Sequence, residues 1–145
     1  MRTNKAYQTN ISNQSVFVKK VPGKGRGVFA ARDFTSGEVI EVCPVIVLTA
    51  DERLILEKTI LDFYTYPWKT EKDGAIVLGY GSLYNHSFEP NARVLWRYAT
   101  KTLALRATRN ISSGEEILVN YNGYPERKDS VDWMSEMPAD RADLY

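Results

Sequence analysis

The chain has 145 residues, 43% of them hydrophobic and 26% charged, which is ordinary globular usage and the size of one domain. A formal net charge of +1 gives no bulk electrostatic case for direct nucleic-acid binding. With one cysteine, Cys43, and one histidine, His86, the chain excludes an internal disulfide framework and a structural zinc site built from Cys and His.

The polar stretch 1–14 predicts a flexible N-terminal segment, and nothing in it has the apolar centre of a secretory leader. The longest apolar run, Val42 to Leu48, is too short to span a bilayer. An intracellular, reducing setting is expected, in the cytoplasm or at a nucleus or nucleoid. Charge is uneven along the chain. Residues 1–33 hold seven basic side chains against one acid, and residues 125–145 hold six acids against three bases. That acidic tail either attracts a cationic peptide or is simply a solvated surface.

In chain order, Val16 to Val21 predicts a strand, Pro22 to Gly27 a glycine-rich turn, and Val28 to Ala31 a second strand. Val39 to Leu48 is rich in β-branched residues and predicts a strand interrupted by Pro44. A helix follows. Thr49 and Glu52 form a capping box, and Leu54, Ile55, Ile60, Leu61 and Phe63 supply its expected buried face, with Pro67 as its latest end. Ala75 to Leu78 predicts a strand. The runs 92–98 and 103–107 alternate apolar with polar and predict a hairpin, and Glu116 to Tyr121 predicts a last strand. The fold class is therefore β-rich α+β with many short strands and one main helix.

Four stretches carry the chemistry: Gly25-Arg26-Gly27-Val28-Phe29-Ala30; Gly81-Ser82-Leu83-Tyr84-Asn85-His86-Ser87 running on to Pro90-Asn91-Ala92; Gly114-Glu115-Glu116-Ile117-Leu118-Val119-Asn120-Tyr121-Asn122; and Asp62-Phe63-Tyr64-Thr65-Tyr66. Singly they have plain readings: a hairpin turn, a polar loop, a buried strand tyrosine, aromatic packing. A lone histidine also invites the reading of a general base. Together, in this order and spacing from about Ser15 to Gly123, they resemble the SET-domain protein lysine methyltransferases. The likeness is nearest the minimal viral and bacterial-type members that lack zinc-binding flanks.

The resemblance implies small curved sheets around a knot-like crossing, in which the Tyr121 segment threads a loop holding Asn85 and His86. It implies S-adenosyl-L-methionine as cofactor and a lysine-bearing protein, a histone or another basic nucleic-acid-associated protein, as substrate. Lys24, Gly25, Arg26 and Gly27 would hold the methionine part. Asn85 would accept from its ammonium group, the His86 backbone would meet the adenine, and the His86 ring would brace the crossing. Tyr121 would be the essential catalytic tyrosine at the methyl group and would also belong to the cofactor-binding set, its hydroxyl orienting the amine or steadying the sulfonium. Tyr64, Tyr66, Tyr84 and Tyr124 would wall the lysine channel. The catalytic domain then spans 15–124. The tail 125–145, through Tyr124, Trp133 or another residue, closes the channel or forms a homodimer contact.

Two positions depart from the family pattern: Ser82-Leu83 stands where Arg-Phe is usual, and Asn120 where Asp often precedes the final tyrosine. The alternative to an enzyme is a catalytically inactive SET-fold module that binds a peptide or the cofactor. Accidental motif matches on an unrelated β-barrel-like interaction domain would be a third case.

Overall fold

The computed structural model describes residues 14–131. Strand β1 (Val16–Val21) folds back on β2 (Gly25–Ala30) as an antiparallel hairpin with Val21 opposite Gly25. The turn is shorter than the glycine run suggests. It closes at Gly23, whose φ of 74° suits a residue without Cβ, and Lys24 N–H donates to the Val21 carbonyl at 3.1 Å. Gly25 and Gly27 thus lie inside a strand, where they leave backbone without side chains along one stretch of the hairpin.

The main sheet has five strands in the order β4-β5-β3-β8-β7, all neighbours antiparallel. At its centre is β3 (Val39–Leu48). Pro44 does not interrupt it. Over 39–44 the strand pairs with β8 (Thr102–Ala107), and over 45–48 with β5 (Gly74–Val77). Proline, which has no N–H, stands where the ladder passes from one neighbour to the other. The expected hairpin is present as β7 (Ala92–Arg97) on β8, turned through Lys101 at φ 49°. Leu103 and Leu105 are wholly buried, and they share one core with Val28, Phe34, Ile117 and Val119.

The helix α1 (Ala50–Leu56) starts with the expected capping box: Thr49 N–H donates to Glu52 at 2.8 Å, and Glu52 N–H to the Thr49 hydroxyl at 3.3 Å. Its expected buried face is not formed. Leu54 is 57% and Ile55 67% exposed, and Leu61 is exposed too. Two turns of helix bury little, and α1 is tied down by Arg53, whose Nη1 donates to the carbonyls of Glu71 and Asp73 at 2.9 Å each. The apolar period breaks at Thr59. Its hydroxyl accepts from Leu61 N–H and starts a separate 3-10 turn over Ile60–Tyr64. That turn delivers the edge strand β4 (Thr65–Pro67).

The predicted last strand, 116–121, is reduced to β9 (Leu118–Val119), which pairs in parallel with β6 (Asn85–His86). The rest of the segment bonds outward in single steps. Ile117 N–H donates to the Val28 carbonyl, Leu118 N–H to the Asn91 side chain, and Ala30 N–H to the Glu115 carbonyl. Residues 85–86 and 117–121 are thereby locked against the glycine hairpin.

Candidate active site

The site is built where β2, β6 and the 115–121 segment meet. Asn85 is 8% exposed. Its amide nitrogen donates to the Arg26 carbonyl at 3.1 Å and to Glu116 Oε1 at 2.8 Å. Both amide protons are then committed, and Oδ1 is the atom left to accept from a ligand. Gly27 packs directly against this pair. A Cβ on it would lie 2.5 Å from Glu116 Oε1 and 2.9 Å from both Asn85 Nδ2 and Val21 Cγ2. Only glycine fits.

Glu116 is a site residue that the sequence reading missed. The signal was the Glu115-Glu116 pair: neighbours on an extended segment point to opposite sides. Glu115 turns to Arg109, which with Asn91 and Ser112 holds its carboxyl below the usual range. Glu116 turns inward to Asn85.

His86 accepts a hydrogen bond at Nδ1 from the Tyr121 N–H at 3.1 Å, so its own proton is on Nε2. That Nε2 is buried and has no partner among the described residues. Burial first, then the Lys24 ammonium, hold the ring below its ordinary pKa. The imidazole is a neutral brace for the Tyr121 backbone, with Phe88 edge-on at 4.5 Å. Nothing in this placement gives it the geometry of a general base.

Tyr121 donates its hydroxyl to the Tyr84 carbonyl at 2.8 Å. Burial, then Tyr64 and Glu116, push its phenol above the ordinary value. Its ring also lines a cleft of about 370 Å³ together with Tyr64, Tyr66, Phe63 and Ser82. The turn 81–83 fixes both cleft tyrosines. Ser82 Oγ donates to the Tyr64 carbonyl at 3.2 Å, and the Tyr66 hydroxyl donates to the Gly81 carbonyl at 3.0 Å. Ser82, noted in the sequence only as a departure, thus has a definite supporting contact.

Two expected channel walls are placed elsewhere. The Tyr84 ring is 1% exposed and its hydroxyl donates to Glu41 at 2.8 Å, so the ring is core and only its carbonyl reaches the site. Tyr124 is 63% exposed and does not line the cleft. The chain turns away at Gly123, φ 85°. The Asn120 amide, 5% exposed, then donates to the carbonyls of Pro125 at 3.3 Å and Arg127 at 2.6 Å, and Lys128 donates to the Phe88 carbonyl. A carboxylate could not donate to either carbonyl, which accounts for asparagine here. The first part of the tail therefore packs toward Phe88 and not across the cleft. Trp133 lies outside the described residues.

Cys43, Tyr66, Tyr84 and Tyr121 all have pKa values raised, burial being the largest cause in each. These acids keep their protons in the fold to higher pH than in the unfolded chain, where a thiol ionises near about 8.5 and a phenol near about 10. Their contribution is full below those values and is lost as pH rises through them. Melting temperature should hold to about pH 8, then fall, and fall more steeply above about pH 10. Thermal melts from neutral pH to pH 11 check this, and a flat profile across the range would contradict it.

A family description, the SET domain, matches residues 25–122. The chain belongs to the SET-domain family. The H3 lysine-37 specific histone-lysine N-methyltransferase of Schizosaccharomyces pombe is 32% identical over 110 residues, covering 74% of this chain and 73% of that protein. An N-lysine methyltransferase of Xenopus laevis is 29% identical over 148 residues, covering 90% of this chain but only 42% of the relative. Among solved structures, a Plasmodium falciparum protein described as a candidate histone methyltransferase superposes with a TM-score of 0.61 at 30% identity, over 75% of this chain and 94% of the other. A chain of a PRC2 complex, at 21% identity and TM-score 0.65 over 74% of this chain and 14% of its own, shares the fold. The activity that comes with this SET domain and these relatives is protein-lysine N-methylation.

Proposed function

We propose that the chain transfers a methyl group from S-adenosyl-L-methionine to the side-chain amine of a lysine in a histone or another basic nucleic-acid-associated protein, inside the cell. The observation that carries this is the placing of Tyr121. Its backbone is held by His86 and its hydroxyl by the Tyr84 carbonyl. Its phenol feels both Tyr64 in the aromatic cleft and Glu116, which is bonded to Asn85.

The residues around Gly27 and Asn85 fit the cofactor. Gly27 has no side chain to crowd the Asn85–Glu116 pair, Asn85 Oδ1 suits an ammonium donor, and the Glu116 carboxylate suits a cation. Lys24, Gly25, Arg26 and the His86 backbone complete the proposed binding set. S-adenosylmethionine, when bound, supplies an electrophilic methyl group on a positively charged sulfur.

The protein's task is to present a neutral amine in line with that methyl. A free lysine holds its proton to about pH 10.4. The cleft of Phe63, Tyr64, Tyr66 and Tyr121 removes water from the amine, which disfavours the ammonium form. Tyr121 donates its own proton to the Tyr84 carbonyl, which sets the direction of its hydroxyl, and a phenol oxygen so oriented accepts from the amine and aims the amine lone pair. The phenol, pushed above its ordinary pKa, stays neutral in the working range. Among the described residues β4 is an edge strand, which gives an extended peptide a strand to lie against. A site so completely assembled around Tyr121 weighs against the inactive-module reading.

Cofactor binding can be checked without turnover. S-adenosylmethionine at about a hundred times its dissociation constant should stabilise the native protein by about 2.7 kcal/mol, read as a rise in melting temperature. No rise at any concentration would remove the cofactor from the proposal.

A further inference from the structure

We infer that Asp62 is a specificity-determining residue of this site: its carboxylate selects a lysine or arginine that flanks the target lysine in the substrate. The inference rests on the methyltransferase reading and names a feature of the substrate which that reading leaves open.

The cleft that ends at Tyr121 is lined by two formally charged side chains, Arg53 and Asp62. They are not equivalent. Arg53 turns Nη1 to the carbonyls of Glu71 and Asp73, at 2.9 Å each, and is occupied in holding α1 to that loop. Asp62 has no such task. Its backbone is committed to the 3-10 turn: its N–H donates to the Thr59 carbonyl at 3.3 Å, and its carbonyl accepts from Thr65 N–H. Its half-buried carboxylate receives no donor from any described residue. A carboxylate has about four lone-pair sites to satisfy. On the wall of a substrate cleft, a cationic donor is the group that satisfies them best.

The turn also fixes where that donor must come from. The Thr65 N–H bond ties Asp62, in the turn that leads into β4, to the start of that edge strand, and Thr65, Tyr66 and Pro67 of β4 line the same cleft. An extended peptide beside β4 advances about 3.3 Å per residue. With its target lysine at Tyr121, one side of that peptide runs past Asp62. A short aspartate there meets the long side chain of a lysine or arginine within about three positions of the target. The target amine itself is not its partner, because that amine must be neutral at Tyr121.

The test uses the full chain and a set of labelled lysine peptides from histone tails, with each basic residue within three positions of the target lysine replaced in turn by glutamine. Binding is followed by fluorescence anisotropy and turnover by methyl transfer. For the wild type, one replacement should weaken binding and raise KM between about threefold and tenfold with kcat little changed, the range of a partly exposed charge-assisted pair. Asp62→Asn should show the same loss on the parent peptide and no further loss on the replaced one. Asp62→Arg should prefer glutamate at that position. Indifference of the wild type to every flanking charge, or losses in Asp62→Asn and the peptide that simply add, would overturn the inference. Anisotropy reads the charge pairing even where no methyl is transferred, so failure of the enzyme reading is seen separately. Unchanged melting temperature of Asp62→Asn confirms that the turn is intact.

Discussion

Tyr121→Phe is expected to lower kcat by about 10²- to 10³-fold, the usual loss when one aimed polar group is removed from a reacting centre. The ring stays, and with it the cleft wall and the contact with the His86 ring at 5.2 Å. What goes is the oxygen that the Tyr84 carbonyl holds in place. The loss of that hydrogen bond should cost about 1 kcal/mol of stability, too little to unfold the domain. Affinity for S-adenosylmethionine should change less than about threefold, because the cluster of Gly27, Asn85 and Glu116 does not use the hydroxyl. Steady-state methyl transfer and a cofactor titration on the same preparation separate these effects. A variant with kcat within a few-fold of wild type would remove Tyr121 from the reacting centre.

Gly27→Ala acts on the other side of the site. The backbone of Gly27 is in strand β2 and is not at positive φ, so alanine meets no conformational barrier there. The obstacle is space. Its methyl would stand 2.5 Å from Glu116 Oε1 and 2.9 Å from Asn85 Nδ2. Glu116 is flexible enough to move, but moving releases the 2.8 Å bond that orients Asn85. Val21, 2.9 Å away in the paired strand, cannot yield as easily. Overpacking of this kind costs about 1–3 kcal/mol of stability. Cofactor affinity should fall at least about tenfold, since losing the alignment of one charge-assisted hydrogen bond is worth that much. Calorimetry and melting curves measure both. Wild-type affinity together with wild-type stability would mean that the cluster of Gly27, Asn85 and Glu116 is not the cofactor site.

The parts of this protein legible in its sequence are those set by local chemistry. The capping box at Thr49 and Glu52, the β7–β8 hairpin and the glycine-rich bend at Gly23 each depend on residues close in the chain. The motif order also identified the family. What the sequence hid depends on partners far along the chain. The Tyr84 ring is drawn into the core by Glu41, 43 residues earlier, though its neighbours belong to the site. Glu116 takes its role from Asn85, 31 residues away. The path of the tail is set by the two protons of the Asn120 amide, where a search for aromatic channel walls pointed to Tyr124. The apolar pattern over 54–63 promised a packed helix, but the short α1 meets too little of the core to bury Leu54 or Ile55. The glycines at 25 and 27 looked like turn residues, and strand pairing with Val21 and Lys19 took them in.

The most direct test of the central claim is transfer of labelled methyl from S-adenosylmethionine to purified histones and to a lysate, with the modified atom located by mass spectrometry. The account predicts label on lysine side-chain nitrogen, in proportion to added protein. Label on no lysine of any protein, from a preparation that binds the cofactor, would contradict it.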